Sequence, residues 1–360
     1  MKARVIGFYL PQFHPTPDND EWWGKGFTEW TNVAKAKPCF KGHYQPKIPA
    51  DLGFYDLRLP QVREQQAELA REAGVEGFCY YHYWFGNGKQ ELELPFNEVL
   101  KSGEPDFPFC LCWANETWHG KFWNKEGNMI AKKVLVEQLY LGKEDNEKHF
   151  YHLLPAFKDK RYITVEGKPL FMVFRPYAFP GIEELVKQWN ELAVKNGLKG
   201  IYFVGQTPNV SDIEKILGYG LDAVNMVRLK SHEQLSPYSK YYKLFNDRIL
   251  RRANIYPYEK VVKLLVGDEE RQENIFPSIV PNWDYTARSS TGGYVYHGST
   301  PEKFKEHVRD VFSRIEAKDL EHRIVFIKSW NEWGEGNYME PDLKFGKGYI
   351  QALREVLDEL

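Results

Sequence analysis

Val5-Ile6-Gly7-Phe8-Tyr9-Leu10-Pro11-Gln12-Phe13-His14 is an apolar run that meets a proline and opens onto polar residues. Continuous apolar runs of this length suit parallel strands buried on both faces. An open nucleotide-binding sheet would follow its first strand with a G-x-G-x-x-G turn, and Leu10–His14 has none. Seven further runs of this kind follow, at Gly77–Tyr81, Phe109–Trp113, Leu170–Phe174, Ile201–Gly205, Ala223–Val227, Ile279–Pro281 and Ile324–Lys328. Amphipathic helical patterns lie between them at Leu59–Ala73, Ile182–Asn196 and Pro301–Lys318, and Tyr349–Leu360 closes the chain. Pro60 and Pro301 suit a first helical turn, Thr300 an N-cap and Gly197 a C′ position. Strands alternating with helices predict an α/β fold of the closed (β/α)8 TIM-barrel type. Trp22–Asp51 and Leu229–Asn274 then read as excursions that cap the barrel. Residues 1–360 read as a single catalytic domain, without linker, repeat or low-complexity tract.

The bulk numbers fit that reading. A chain of 360 residues buries roughly 75% of its unfolded surface and needs no staple. The balance of 48 basic and 50 acidic residues, net −2, argues against a nucleic-acid or anionic-membrane surface. No window reaches the ~18 apolar residues of a membrane span. The first residues lack a signal-peptide core, which predicts a cytoplasmic location, or a periplasmic one if a leader has been removed. Of Cys39, Cys79, Cys110 and Cys112, three lie in apolar runs and read as small buried hydrophobes. No metal or cofactor is expected, because His, Cys and carboxylates do not fall at ligand spacing. Oligomeric state stays open.

Aromatic residues make up 16% of the chain, with 11 Trp, 22 Tyr and 23 Phe. Many adjoin polar residues at strand ends, where an aromatic face can stack on the C–H face of a sugar and polar neighbours can bond its hydroxyls. Barrel active sites form at those ends. Reading only these positions gives candidate substrate-binding residues Tyr9 and His14 after the first strand and Tyr81, His82 and Trp84 after the second. Trp113, Asn115 and Glu116 follow the third, Arg175 the fourth, Gln206 the fifth and Asp284 the seventh, with Arg288 among the further polar strand-end positions. After the eighth come Trp330, Asn331, Trp333 and Glu340. The strongest constellation is Ser329-Trp330-Asn331-Glu332-Trp333-Gly334-Glu335-Gly336. Two glutamates three residues apart share one side of a helical turn. Like charges in an aromatic setting drive one pKa up, so one carboxyl serves as acid while the other stays ionised. Glu332 and Glu335 are the candidate catalytic pair for glycosidic cleavage.

At these residues the chain resembles glycoside hydrolase family 99 and its bacterial relatives, the WbsX-like proteins of polysaccharide gene clusters. The similarity runs through Gly7–His14, Gly26–Val33, Gly42–Pro46, Trp113–Glu116 and the Trp-Asn-Glu-Trp-x-Glu-Gly core with its following Glu340-Pro341. The resemblance implies a (β/α)8 barrel and retaining, endo-acting hydrolysis of α-mannosidic linkages. It implies that Glu332 deprotonates the sugar's own 2-hydroxyl, which attacks the anomeric carbon to give a 1,2-anhydro intermediate. Glu335 would protonate the leaving oxygen and later activate water. The mannan-cleaving enzymes of that family carry His where this chain has Gly334, which leaves the substrate open. A glycosyltransferase of cell-surface polysaccharide assembly is the alternative, with Asp18-Asn19-Asp20 as its D-x-D. A silent glycan-binding barrel would have lost one glutamate, and both are present.

Overall fold

The computed structural model describes residues 3–123, 129–250 and 252–359. Eight parallel strands form the barrel: β1 Arg4–Tyr9, β2 Gly77–Trp84, β3 Phe109–Trp113, β4 Lys168–Val173, β5 Tyr202–Thr207, β6 Ala223–Met226, β7 and β8 Ile324–Ile327. β7 is split into Ile275–Phe276 and Ser278–Ile279 by Pro277, which has no N–H for the ladder. Its first half pairs with β6 (Val224 opposite Ile275) and its second with β8 (Ile279 opposite Ile327). The Pro277 carbonyl still accepts the Phe326 amide at 3.0 Å. Since β8 also pairs with β1 (Val5 opposite Val325), the sheet closes. The predicted strands lie within two residues of the observed ones at most ends. β7 starts earlier than expected because its first half is only two residues long.

The helices form where the sequence places apolar residues at three- and four-residue spacing. They are α1 Pro60–Ala73, α2 Leu94–Ser102, α3 Lys143–Phe157, α4 Ile182–Lys195, α5 Ile213–Gly218, α6 Pro301–Ile315 and α7 Gly348–Asp358. The predicted last residue of α7, Leu360, lies outside the described residues. The Thr300 hydroxyl caps α6 by accepting the Lys303 amide at 3.4 Å. On α4 the buried Trp189 packs its ring 4.9 Å from Phe171 of β4, which ties helix to strand. Cys79, Cys110 and Cys112 are buried free thiols on β2 and β3.

Two excursions shape the strand-end face. After β1, helices Pro17–Trp23 and Glu29–Lys35 cover one side of the barrel mouth. After β3, the antiparallel hairpin Trp118–Trp123/Met129–Val136 rises beside it. The chain after β6 builds a satellite apolar cluster, including Tyr256, Tyr258, Val261, Leu265, Trp283 and Tyr296. A parallel strand pair, Asn254–Pro257 with Tyr294–His297, runs through it. Among the described residues no helix is long and apolar enough to cross a membrane.

Candidate active site

β8 ends at Ile327, and the chain then turns through Asn331–Glu332 and the short 3-10 helix Trp333–Glu335. This turn delivers both predicted glutamates to one cleft at the strand-end face. The cleft, about 460 Å³, is walled by Tyr81, Tyr83, Trp118, Tyr285, Arg288 and Lys328 among others. Arg288 bridges the pair. Its Nη2 lies 2.9 Å from Glu332 and its Nη1 2.6 Å from Glu335. Its Nε lies 3.1 Å from a third carboxylate, Glu29. Lys328 approaches Glu332 from the other side at 3.7 Å and donates to the Tyr81 hydroxyl at 2.8 Å.

Burial, and then the charge of Glu332, push Glu335 up to about 7 against the opposing pull of Arg288 and Lys328. Glu335 keeps 16% of its side chain open to the cleft, against 6% for Glu332. A carboxyl that is half-protonated near neutrality and reachable from the cleft can both give and take a proton there.

A buried frame holds the turn. The Asn331 side chain accepts the Leu10 amide at 2.7 Å and donates to its carbonyl at 3.0 Å, fastening the turn to the end of β1. The Asp284 amide donates to the Glu335 carbonyl at 2.7 Å. Its carboxylate accepts from Gln45 and meets the His43 ring, each at 2.8 Å. Burial raises the Asp284 carboxyl, but the His43 contact and the Lys47 charge outweigh it and bring it to about 2. Gly336 sits at φ +53, and a Cβ there would overlap Asp284 and crowd Lys47, so this position needs glycine twice over.

Of the predicted binding residues, Tyr81 and Glu116 line this cleft. Arg175 and Gln206 line a neighbouring cavity of about 540 Å³, which shares Phe174 and Lys328 with the cleft. Arg175 also reaches Glu116 at 2.6 Å across the join. The other predicted residues stand behind the cleft wall, so for them the expectation of direct sugar contact gives way to a supporting place. Trp333 donates to Glu340 at 2.6 Å, and Glu340 also accepts from Tyr55 and Gln66. Tyr9 joins that network by donating to Gln66 at 2.7 Å. Burial lifts Glu340 to about 7 despite these donors. Trp330 is fully buried against Phe78. His82 contacts His149 at 2.8 Å, and Trp84 stacks on His149 with ring centroids 4.6 Å apart. Trp113 donates to the Trp84 carbonyl, Asn115 pins the Arg175 backbone, and His14 is buried. A strand-end side chain that points along the barrel axis and one that points into the surrounding packing are indistinguishable in sequence.

Arg288, read among the polar residues after the seventh strand, lines the cleft, as do Glu29, Lys328, Trp22 and Trp118, which were not among the predicted site residues. Trp22 and Trp118 come from the excursions, and their rings meet edge to face at 6.1 Å. Their signal was the aromatic clustering itself. Asp18-Asn19-Asp20 does not converge on the cleft as a pair of carboxylates. Asp18 pairs with Lys89 at 2.8 Å, and Asp20 accepts the Gly26 amide at 2.8 Å. Asn19 between them is buried on the cleft wall. Folding also gathers a trio the sequence spacing did not show, Glu273, Asp319 and His322. It lies just before β7 and β8, at the opposite end of the barrel from the glutamates, and its members bond one another.

The fold is a (β/α)8 barrel of the kind seen in glycoside hydrolase family 99. The structure of the family 99 endo-α-mannosidase from Bacteroides thetaiotaomicron with bis-tris-propane superposes with a TM-score of 0.61 at 15% identity, covering 99% of this chain and 96% of that one. A protein described as glycoside hydrolase-like superposes at 0.56, 14% identity, 99% and 93% coverage. The chain belongs to the WbsX family: the model described as Glycosyltransferase WbsX matches residues 5–353. It is 36% identical over 363 residues to the proteins called WxcX in two strains of Xanthomonas campestris pv. campestris, covering 99% of this chain and 50% of each relative. The chain thus spans about half the length of these curated relatives.

Proposed function

We propose that this barrel is a retaining glycoside hydrolase that cleaves α-linked, mannose-like oligosaccharide or polysaccharide within the chain. The observation that carries the reading is the glutamate pair held on Arg288 in an aromatic cleft, with Glu335 raised to about 7. In this reading Glu335 donates its proton to the departing glycosidic oxygen. Glu332, flanked by Arg288 and Lys328, takes the proton of the substrate's 2-hydroxyl, and that oxygen closes on the anomeric carbon as the leaving bond breaks. Water activated by Glu335 then opens the 1,2-anhydro ring and restores both glutamates. The neighbouring cavity beyond Phe174 and Lys328 offers room for sugars on a second side of the scissile bond, which supports endo action.

A glycosyltransferase of surface-polysaccharide assembly is the second reading, favoured by the description of the family model. Its D-x-D carboxylates are already engaged by Lys89 and the Gly26 amide, which supports the hydrolase over it. A panel of α-linked oligosaccharides, with products resolved by mass spectrometry and Glu335→Gln run alongside, tests the proposal. Shortened oligosaccharides made by the native protein alone are expected. Products lengthened only when a nucleotide sugar is supplied would replace the hydrolase reading with the transferase.

A further inference from the structure

The helix Ser239–Phe245 and its π-helical continuation Asn246–Leu250 form an inside-out surface element. Apart from Tyr242, whose ring meets Tyr256 at 6.0 Å, its protein-facing side chains are polar. Ser239 and Asn246 are buried, and Asn246 bonds Asn254 at 3.0 Å and Arg252 at 2.9 Å. Its outward side chains are aromatic and aliphatic. Tyr238 and Tyr241 are 71% exposed, Ile249 67%, and Leu244 and Phe245 48% each. A surface helix in water normally turns its apolar stripe inward. A contiguous exposed apolar patch marks a surface made to be covered.

The local charge selects what covers it. Between residues 238 and 252 the sequence carries Lys240, Lys243, Arg248, Arg251 and Arg252 against the single acid Asp247, inside a chain whose net charge is −2. The overall balance therefore hides a basic segment. Lys243 and Arg252 are exposed beside the patch. Protein–protein interface cores are depleted of lysine. Aromatic and aliphatic side chains interleaved with Lys and Arg are what the headgroup region of an anionic bilayer takes: rings and methyls enter the acyl boundary while cations meet phosphates.

We propose that this element is an interfacial docking site for an anionic phospholipid bilayer. It follows directly on Lys230, Ser231 and Glu233, which line the second cavity on the strand-end face. Docking would therefore bring that face toward the membrane, where a lipid-carried glycan is the substrate class served. Only this last step rests on the hydrolase reading. The docking itself is measured without any glycan, so the two fail separately.

The test is co-sedimentation of the full chain with vesicles of phosphatidylglycerol and phosphatidylcholine, beside vesicles of phosphatidylcholine alone. The native protein is expected to pellet with the anionic vesicles only, and less as salt rises. Lys243→Gln should weaken partitioning by about fivefold. Tyr241→Ser with Ile249→Ser should weaken it by at least about tenfold. Because these side chains are exposed, far-UV circular dichroism and Tm should stay at the native values, which separates lost docking from lost folding. A native protein that stays in the supernatant, or serine variants that pellet like the native one, would overturn the proposal. A dimer in sedimentation velocity that the serine variants dissociate would assign the patch to a second copy of the chain instead.

Discussion

Gly334 lacks a side chain where the Glu29 carboxylate needs the room: a Cβ at 334 would overlap Glu29 Oε2 and press on Arg288 Nε. Glu29, from the Glu29–Lys35 helix after β1, thereby reaches into the turn after β8 and completes the three carboxylates on Arg288. Gly334→Ala must push Glu29 off Arg288. The expected cost is about 1–3 kcal/mol, as for overpacking in a close-fitted core. Glu29→Ala should relieve part of it, with a coupling of about 0.5–3 kcal/mol in a double-mutant cycle by urea unfolding. Additive losses would mean that the two positions do not compete for this space.

Arg288 is the cation shared by three carboxylates, Glu29, Glu332 and Glu335. Arg288→Met leaves Glu29, Glu332 and Glu335 facing one another, with Lys328 the one cation left near Glu332 among the described residues. Breaking a buried ion pair from one side costs about 3–5 kcal/mol. The loss should be smaller at acid pH, where protonated carboxyls need no partner. Urea unfolding across pH reads this directly, and a loss that is the same at every pH would assign Arg288 a packing role.

Glu335 should limit stability in a defined pH window. Its pKa is about 7 in the folded protein, against the ordinary 4.5. The folded state therefore holds the proton more tightly. Stability falls as pH rises through that interval and stays at the lower level above it. Glu335→Gln has no charge to bury and escapes the fall, on the order of 3 kcal/mol. Unfolding free energies of the two proteins should diverge between about pH 4.5 and pH 7. Parallel curves would show that Glu335 keeps an ordinary carboxyl pKa.

The aromatic residues divide by location. Trp113→Ala and Trp333→Ala remove buried rings that donate to the Trp84 carbonyl and to Glu340. Each is expected to cost about 3–5 kcal/mol of stability. Trp22→Ala and Trp118→Ala remove cleft-lining rings from the excursions. They should weaken oligosaccharide binding more than they lower Tm. Calorimetric titration beside thermal melts distinguishes the two groups, and the opposite ranking would exchange their roles.

The barrel was legible because eight apolar runs and the helical patterns between them carry periodicity, and periodicity is local. The split of β7 at Pro277 was less so, since two-residue pairings leave no pattern. Glu332 and Glu335 could be read from three residues of spacing between flanking tryptophans. Arg288 and Glu29 could not be placed on them, because Arg288 and Glu29 are 259 residues apart and reach the glutamates only once the segments after β1, β7 and β8 come together. Trp84, Trp113 and Trp333 show the converse. Their strand-end positions read as sugar-facing, whereas their indole donors turn to Asp145, the Trp84 carbonyl and Glu340 behind the wall.

The most direct measurement compares kcat/KM of the native protein, Glu335→Gln and Glu332→Gln on two α-linked substrates, one with a sugar leaving group and one with an activated aryl leaving group. With the sugar leaving group, Glu335→Gln should lose about 10²–10⁴-fold. The aryl substrate should return much of that loss, because its departure needs no proton. Glu332→Gln should stay inactive on both, since the 2-hydroxyl must still be deprotonated. Equal recovery of both variants on the aryl substrate would contradict the assignment of Glu335 as acid and Glu332 as base.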